Sequence, residues 1–159
     1  MAKRPQLHEG DYFDVLLPCK NADEPQVLPA FGQILSIETG ALNSVACAFW
    51  PESRLEPNSI LRSPPLAVHL VTPDLLWNKE WAIRGNSEIL VSRESRPYEA
   101  YRKAGWVGCK VIGSSNIRAL LRAYRGLEYW DDWADPRYLD NLLSPGFPRP
   151  SHAKFKRGA

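Results

Sequence analysis

Three short segments near the N-terminus, each rich in aromatic and aliphatic residues, constrain most strongly what this chain can fold into. They are GDYFDVLLP (10–18), PAFGQILSIETG (29–40) and ALNSVACAFWP (41–51). Such residues favour β-strands, and strands that recur every ~8–12 residues are typical of an antiparallel meander. Gly32 in the second segment indicates a bulge or a close backbone approach. We therefore predict a bent antiparallel sheet or a small β-barrel.

The C-terminal third predicts two short helices, which makes the fold class α+β. In SSNIRALLRAYRG (114–126), apolar residues recur at the i, i+3, i+4 and i+7 spacing of one helix face. Ser114 or Ser115 is the expected N-cap, and Gly126 occupies the position of a C′ glycine. The arginines of this segment are expected on a solvated face. The second helix is predicted over 136–143, with Asp135 as its cap.

The intervening segments predict further elements. KEWAIRGNSEI (79–89) and WVGCKVIG (106–113) each predict a further strand, and LAVHLVTPDLLWN (66–78) is ambiguous between strand and helix.

A length of 159 residues suits one domain, which we place at 10–144. Residues 1–9 are expected to be a flexible lead, and 145–159 a flexible, proline-rich and basic tail. The formal net charge is +2, but five cations lie in the first five and the last eight residues, and without them 15 basic residues remain against 18 acidic ones. The body of the chain is therefore slightly acidic, which argues against nucleic acid as a partner.

Three widely spaced cysteines and the absence of a C-x-x-C pair argue against a disulfide framework and a zinc site. The N-terminal residues lack the apolar run of a signal peptide, and no stretch is long and apolar enough to span a membrane. We therefore expect a cytoplasmic protein with reduced thiols and no membrane partner.

The common catalytic motifs, including the P-loop, G-x-G-x-x-G, H-E-x-x-H and G-x-S-x-G, are missing from the sequence. His69 lies in an apolar run, where a hydrogen-bonded structural histidine is expected rather than a catalytic base. We predict a protein that is not an enzyme, with no catalytic residues, cofactor, metal or small-molecule substrate.

The segment EYWDDWADPRYLD (128–140) is the main candidate for partner binding. Tryptophan is enriched at interface centres, and carboxylates pair with basic partners. Glu128, Asp131 and Asp132 are the predicted contacts, although Asp131 and Asp132 could equally be solvated carboxylates. Trp130 is the predicted anchor, but the pattern favours a place in the core for it.

A second candidate surface is the polar loop around Asp23 and Glu24. It follows the first predicted strand and carries two adjacent carboxylates.

Several motifs resemble those of the bacterial immunity protein 26 family. GDYFDVLLP and AFGQILSI are similar to the opening strands of that family. LLWNKEWAIRGNSEI is similar to the family's segment that contains a tryptophan and an I-x-G-N turn. YW…DP is similar to the family's C-terminal part. The resemblance covers most of residues 10–143. Residues 52–65 and the tail after 144 have no counterpart in it.

The resemblance implies stoichiometric inhibition of a bacterial toxin. The partner would be the C-terminal domain of a cognate polymorphic or contact-dependent toxin. Two alternatives stay open, a small barrel that binds nucleic acid or acts as an adaptor, and an enzyme with an unrecognised site. For the first alternative, Trp50, Trp77 and Trp106 with the arginines of 93–102 are the candidate contacts.

Overall fold

The structure is a computed structural model that describes residues 3–157. Its centre is an open antiparallel sheet with the strand order β4-β3-β2-β1-β5. The strands are β1 (Asp11–Val15), β2 (Ala30–Glu38), β3 (Ser44–Trp50), β4 (Ala67–Val71) and β5 (Ile83–Asn86). The predicted α+β class and the first three strands are confirmed. The sheet does not close into a barrel, because its edge strands β4 and β5 do not pair with each other.

Both faces of the sheet are covered, which explains the apolar run of β3. All seven residues of β3 are buried. One face packs against the helices α4 (Ser114–Tyr124) and α5 (Tyr138–Leu142), and the other contacts α1 (Asn58–Leu61). The register of β2 against β3 slips between Ile34 and Ser36. A slip of this kind increases local twist and bends the sheet.

Gly32 is needed because an aromatic ring lies directly over it. Phe13 on β1 is the register partner of Gly32, and a Cβ at Gly32 would lie 2.5 Å from the Phe13 ring. The ring is itself fixed by stacking on Trp81, with centroids 5.4 Å apart. The group that approaches Gly32 closely is thus a side chain, and not the backbone that the sequence predicts.

Helix α4 begins differently from the prediction and ends as predicted. Gly113 is the N-cap residue, and the first helical amide, of Ser114, donates to Thr72 Oγ1 at 2.9 Å. At the other end Gly126 has φ of 78°. The amide of Gly126 donates to the Ala123 carbonyl at 3.0 Å and that of Leu127 to the Arg122 carbonyl at 2.9 Å. These two bonds form the glycine C-cap motif.

The structure resolves one ambiguous segment and corrects the prediction for another. Residues 66–78 contain both structures, because β4 is followed by the one-turn helix α2 (Asp74–Trp77) after Pro73. The strand predicted over 106–113 is wrong, since this segment forms turns with one isolated bridge between Ile112 and Val71. Gly105 and Gly108 have φ of 65° and 80°, which breaks any extended run. The remaining one-turn helix, α3, is Glu99–Arg102.

The chain ends differ from the predicted flexible segments. Residues 145–157 pack on the domain, where the Trp130 amide donates to the Lys154 carbonyl at 2.7 Å and Phe147 and Phe155 contact the core. Residues 158–159 and 1–2 lie outside the described part. In the lead, residues 3–9 are irregular, but Leu7 contacts the core and the Arg4 guanidinium lies 3.9 Å from the centroid of the Trp77 ring.

Candidate protein-binding surface

Trp130, predicted as a possible anchor, is part of the core. Its side chain is fully buried, and its indole N–H donates to Asp140 Oδ1 at 2.9 Å. The indole satisfies its polar atom inside the domain, as buried tryptophans generally do. Trp130 therefore has no surface with which to contact a partner.

Asp131 is also turned inward and holds the C-terminal tail. Its two carboxylate oxygens accept the amides of Lys156 and Arg157 at 2.6 and 2.9 Å. Burial opposes the charge, but these backbone amides lower the pKa of Asp131 below its ordinary value. Asp131, predicted as a partner contact, thus binds the tail of its own chain. Asp132 beside it stays exposed and pairs with Lys156 Nζ at 3.2 Å.

The structure brings together Glu24 and Glu128, which lie far apart in the sequence. Arg122 on α4 donates to Glu24 Oε1 at 2.8 Å, to Glu128 Oε1 at 2.9 Å and to the Pro18 carbonyl at 2.6 Å. Lys20 forms a further ion pair with Glu128. The loop 18–28, which carries Glu24, is therefore fastened to the helix, and the two sequence-predicted surfaces meet.

The charges at this junction are mutually stabilised. The Arg122 hydrogen bond lowers the pKa of Glu24. Burial disfavours the Arg122 cation, but its bonds to Glu24 and Glu128 outweigh this and raise its pKa. Asp23, next to Glu24, is exposed at the loop surface.

The prediction of a solvated arginine face on α4 is wrong for Arg122, of which only 3% is exposed. Arg125 donates to the carbonyls of Leu28 at 2.8 Å and Pro51 at 3.2 Å. Arg118 pairs with Glu80 at 3.0 Å. The sequence holds no local signal for these roles, because the partners of Arg122 in the loop lie about a hundred residues away.

Three exposed leucines lie in segments that meet at the same end of the sheet. Leu16 follows β1, Leu28 precedes β2, and the pairing of Val15 with Ala30 brings the two segments together. Leu55 belongs to a segment that is tied to the same end, since the Ser53 amide donates to the Pro29 carbonyl at 2.8 Å. The three leucines, which we call the leucine surface, are 58%, 56% and 96% exposed.

No family model, curated protein or solved structure matches this chain.

A cavity of about 1040 Å³ opens beside β4 and is lined in part by His69. His69 Nε2 is hydrogen-bonded to the Leu142 carbonyl at 2.7 Å, and burial lowers the pKa of His69. Cys47 is its register partner on β3, but complete burial raises the pKa of that thiol. A protonated thiol is a poor nucleophile, so this pair lacks the activation that a Cys–His dyad requires.

Residues 3–157 contain no group of three or more histidine, cysteine or acidic side chains arranged to hold a metal ion. Within the same residues, no helix has the length and apolar character that a membrane crossing requires.

Proposed function

We propose that this chain is a cytoplasmic immunity protein that binds the C-terminal domain of a cognate toxin and inhibits it stoichiometrically. Two observations support the proposal. The sequence motifs resemble those of immunity protein 26, and the fold displays the leucine surface beside the charged loop 18–28. Inhibition of this kind requires a rigid complementary surface and no chemistry from the inhibitor.

The leucine surface carries the proposal. Grouped exposed leucines are costly to leave in water, and apolar groups bordered by charges are typical of protein-binding sites. The loop 18–28, which ends at Leu28, carries the exposed Asp23 and also Lys20, which pairs with Glu128. Arg122 and Arg125 hold the backbone at Pro18 and Leu28, so little order has to be gained on binding.

The test is binding of the toxin domain encoded directly upstream, with Leu28→Asp as the variant. We expect at least a tenfold loss of affinity by isothermal titration calorimetry, because a carboxylate would be buried at the centre of the interface. Val107→Asp is the matched control, since Val107 is 77% exposed but lies in the turns of 106–113. Both variants should keep the parental melting temperature. Unchanged affinity for Leu28→Asp, or no complex with the parental protein, would remove the proposal.

The nucleic-acid alternative loses one of its stacking candidates. Trp50 is 2% exposed, and its indole N–H donates to the Ser63 carbonyl at 2.9 Å. A platform for bases needs an exposed aromatic face. Binding of generic DNA or RNA that falls steeply with salt would nevertheless favour this alternative over the immunity proposal.

A further inference from the structure

The cavity of about 1040 Å³ beside β4 has the size of a site for a small molecule. His69 of β4 lines it, between the segment 141–148 on one side and the turn at Glu94 to Pro97 on the other. Most of its other lining residues are apolar, and they include five prolines, Leu142 and Phe147. Apolar walls with a few polar groups are typical of ligand sites.

Both walls of the cavity are held in place without a ligand. In the first wall, the Ser144 amide donates to the Leu66 carbonyl at 2.8 Å, and the Phe147 amide donates to the Ser144 carbonyl at 2.9 Å. In the second wall, the buried Arg96 side chain donates to the Val91 carbonyl at 3.0 Å. The five prolines restrict the backbone further, because their φ angles are fixed. A preformed cavity needs little ordering when a ligand binds.

His69 presents a hydrogen-bond acceptor to this cavity. Its Nε2 lies 2.7 Å from the Leu142 carbonyl, which can only accept, so Nε2 carries the hydrogen and Nδ1 carries a lone pair. Burial lowers the pKa of His69, which keeps the ring neutral at neutral pH. Nδ1 forms no hydrogen bond within residues 3–157 and is not among their enclosed, unpartnered side-chain atoms. A ligand in the cavity can therefore donate a hydrogen bond to Nδ1.

The charge that borders the cavity favours a cation. Among the described residues, Glu94 is the one acidic side chain that lines the cavity, and no lysine or arginine among them does. Glu94 is exposed and forms no ion pair within residues 3–157. An ammonium group of a ligand would complement this charge.

We propose that the cavity binds a small aromatic amine, with its ring against the apolar walls, its ammonium group at Glu94 and a ring N–H or O–H donor at His69 Nδ1. Burial of the ring supplies the apolar contact, and the two polar groups fix its orientation. This site shares no residue with the leucine surface, so either proposal can fail without the other.

The probes are tryptamine and tyramine, which are aromatic amines with a ring N–H and a ring O–H. The matched alcohols, tryptophol and tyrosol, lack the charge, and indoleacetate and hydroxyphenylacetate reverse it. NMR titration of the intact chain measures their affinities. We expect each amine to bind about threefold to fivefold more tightly than its alcohol, and each acid to bind most weakly. Glu94→Gln should abolish the preference for the amines. Glu52→Gln is the matched control and should keep it, since Glu52 is exposed and lies outside the cavity.

The nitrogen resonance of His69 Nδ1 gives a readout that does not depend on a variant. Donation to the lone pair should shift this resonance upfield, while the resonances of the exposed His8 and His152 stay unchanged. Tryptamine methylated at the indole nitrogen lacks the ring donor, so it should bind more weakly and leave Nδ1 unshifted. The proposal is overturned if neither amine shifts the Nδ1 resonance, if the acids bind as tightly as the amines, or if Glu94→Gln keeps the preference for the amines.

Discussion

Replacement of Arg122 by methionine tests whether this buried guanidinium holds the loop 18–28 in place. Methionine keeps most of the apolar contact of the side chain but removes all three hydrogen bonds. Neither carboxylate is left isolated, because Glu24 still accepts the Lys20 amide at 3.0 Å and Glu128 still pairs with Lys20 Nζ. The cost should therefore fall below the ~3–5 kcal/mol of an orphaned buried charge.

We expect Arg122→Met to lower the free energy of unfolding by about 2 kcal/mol, which corresponds to roughly 4–8 °C in melting temperature for a domain of this size. Urea unfolding followed by tryptophan fluorescence measures it, with an unchanged m-value showing that unfolding stays two-state. Arg118→Met is the matched control on the same helix. Its partner Glu80 has 52% of its side chain exposed, so the control should lose less than about 0.5 kcal/mol. Equal losses in the two variants would refute the reasoning.

Three further predictions concern the tail, the sheet and the thiols. The pKa of Asp131 is lowered in the folded state, so its contribution to stability is present above pH 3.8 and is lost as the pH falls below it. Asp131→Asn should weaken this acid dependence in urea titrations and speed hydrogen exchange of the tail amides at neutral pH. Gly32→Ala should cost about 2 kcal/mol in urea unfolding, because the Phe13 ring cannot retreat from the new methyl group. With a thiol reagent at pH 8, the exposed Cys19 should react in the native protein, and the buried Cys47 only after unfolding.

Local patterns sufficed for the parts of the fold that depend on neighbouring residues. The aromatic and β-branched segments predicted β1 to β3, and helical spacing with Gly126 predicted α4 and its end. The segment 106–113 shows how such a pattern fails. Its alternation suits a strand, but Trp106 and the glycines on either side of it adopt positive φ, and Val107 points into solvent. In this segment, the backbone conformation at the glycines prevents the strand that the alternation of side chains predicts.

The candidate site could be predicted only in part, because its contacts join distant segments. The sequence predicts Glu24 and Glu128 as partner contacts, yet Arg122 binds both, and no local spacing reveals that Arg122 pairs with Glu24, 98 residues away. Asp131 is predicted as a contact for the same reason and instead accepts the amides of Lys156 and Arg157. The proline and basic residues of the tail predict mobility. Composition alone carries no information on which carboxylate binds the backbone amides of the tail.

The hydrogen bonds that tie β1 to its neighbours and the leucine surface lie at opposite ends of β1. At the first end, Asn86 donates to Asp11 Oδ1 at 3.0 Å and to the Glu9 carbonyl at 2.9 Å, while Gln33 donates to the Gly10 carbonyl at 3.3 Å. These bonds join β5 and β2 to β1. None of them involves a residue of the leucine surface.

A strand the length of β1 separates its two ends by roughly 13–16 Å. Substitutions that far apart, with no shared partner, act almost independently. The hydrogen bonds at Gly10 and Asp11 therefore hold the sheet together independently of Leu16 and Leu28 at the far end. Substitutions at Leu16, Leu28 or Asp23 should leave the pairing of β1 with β2 and β5 intact.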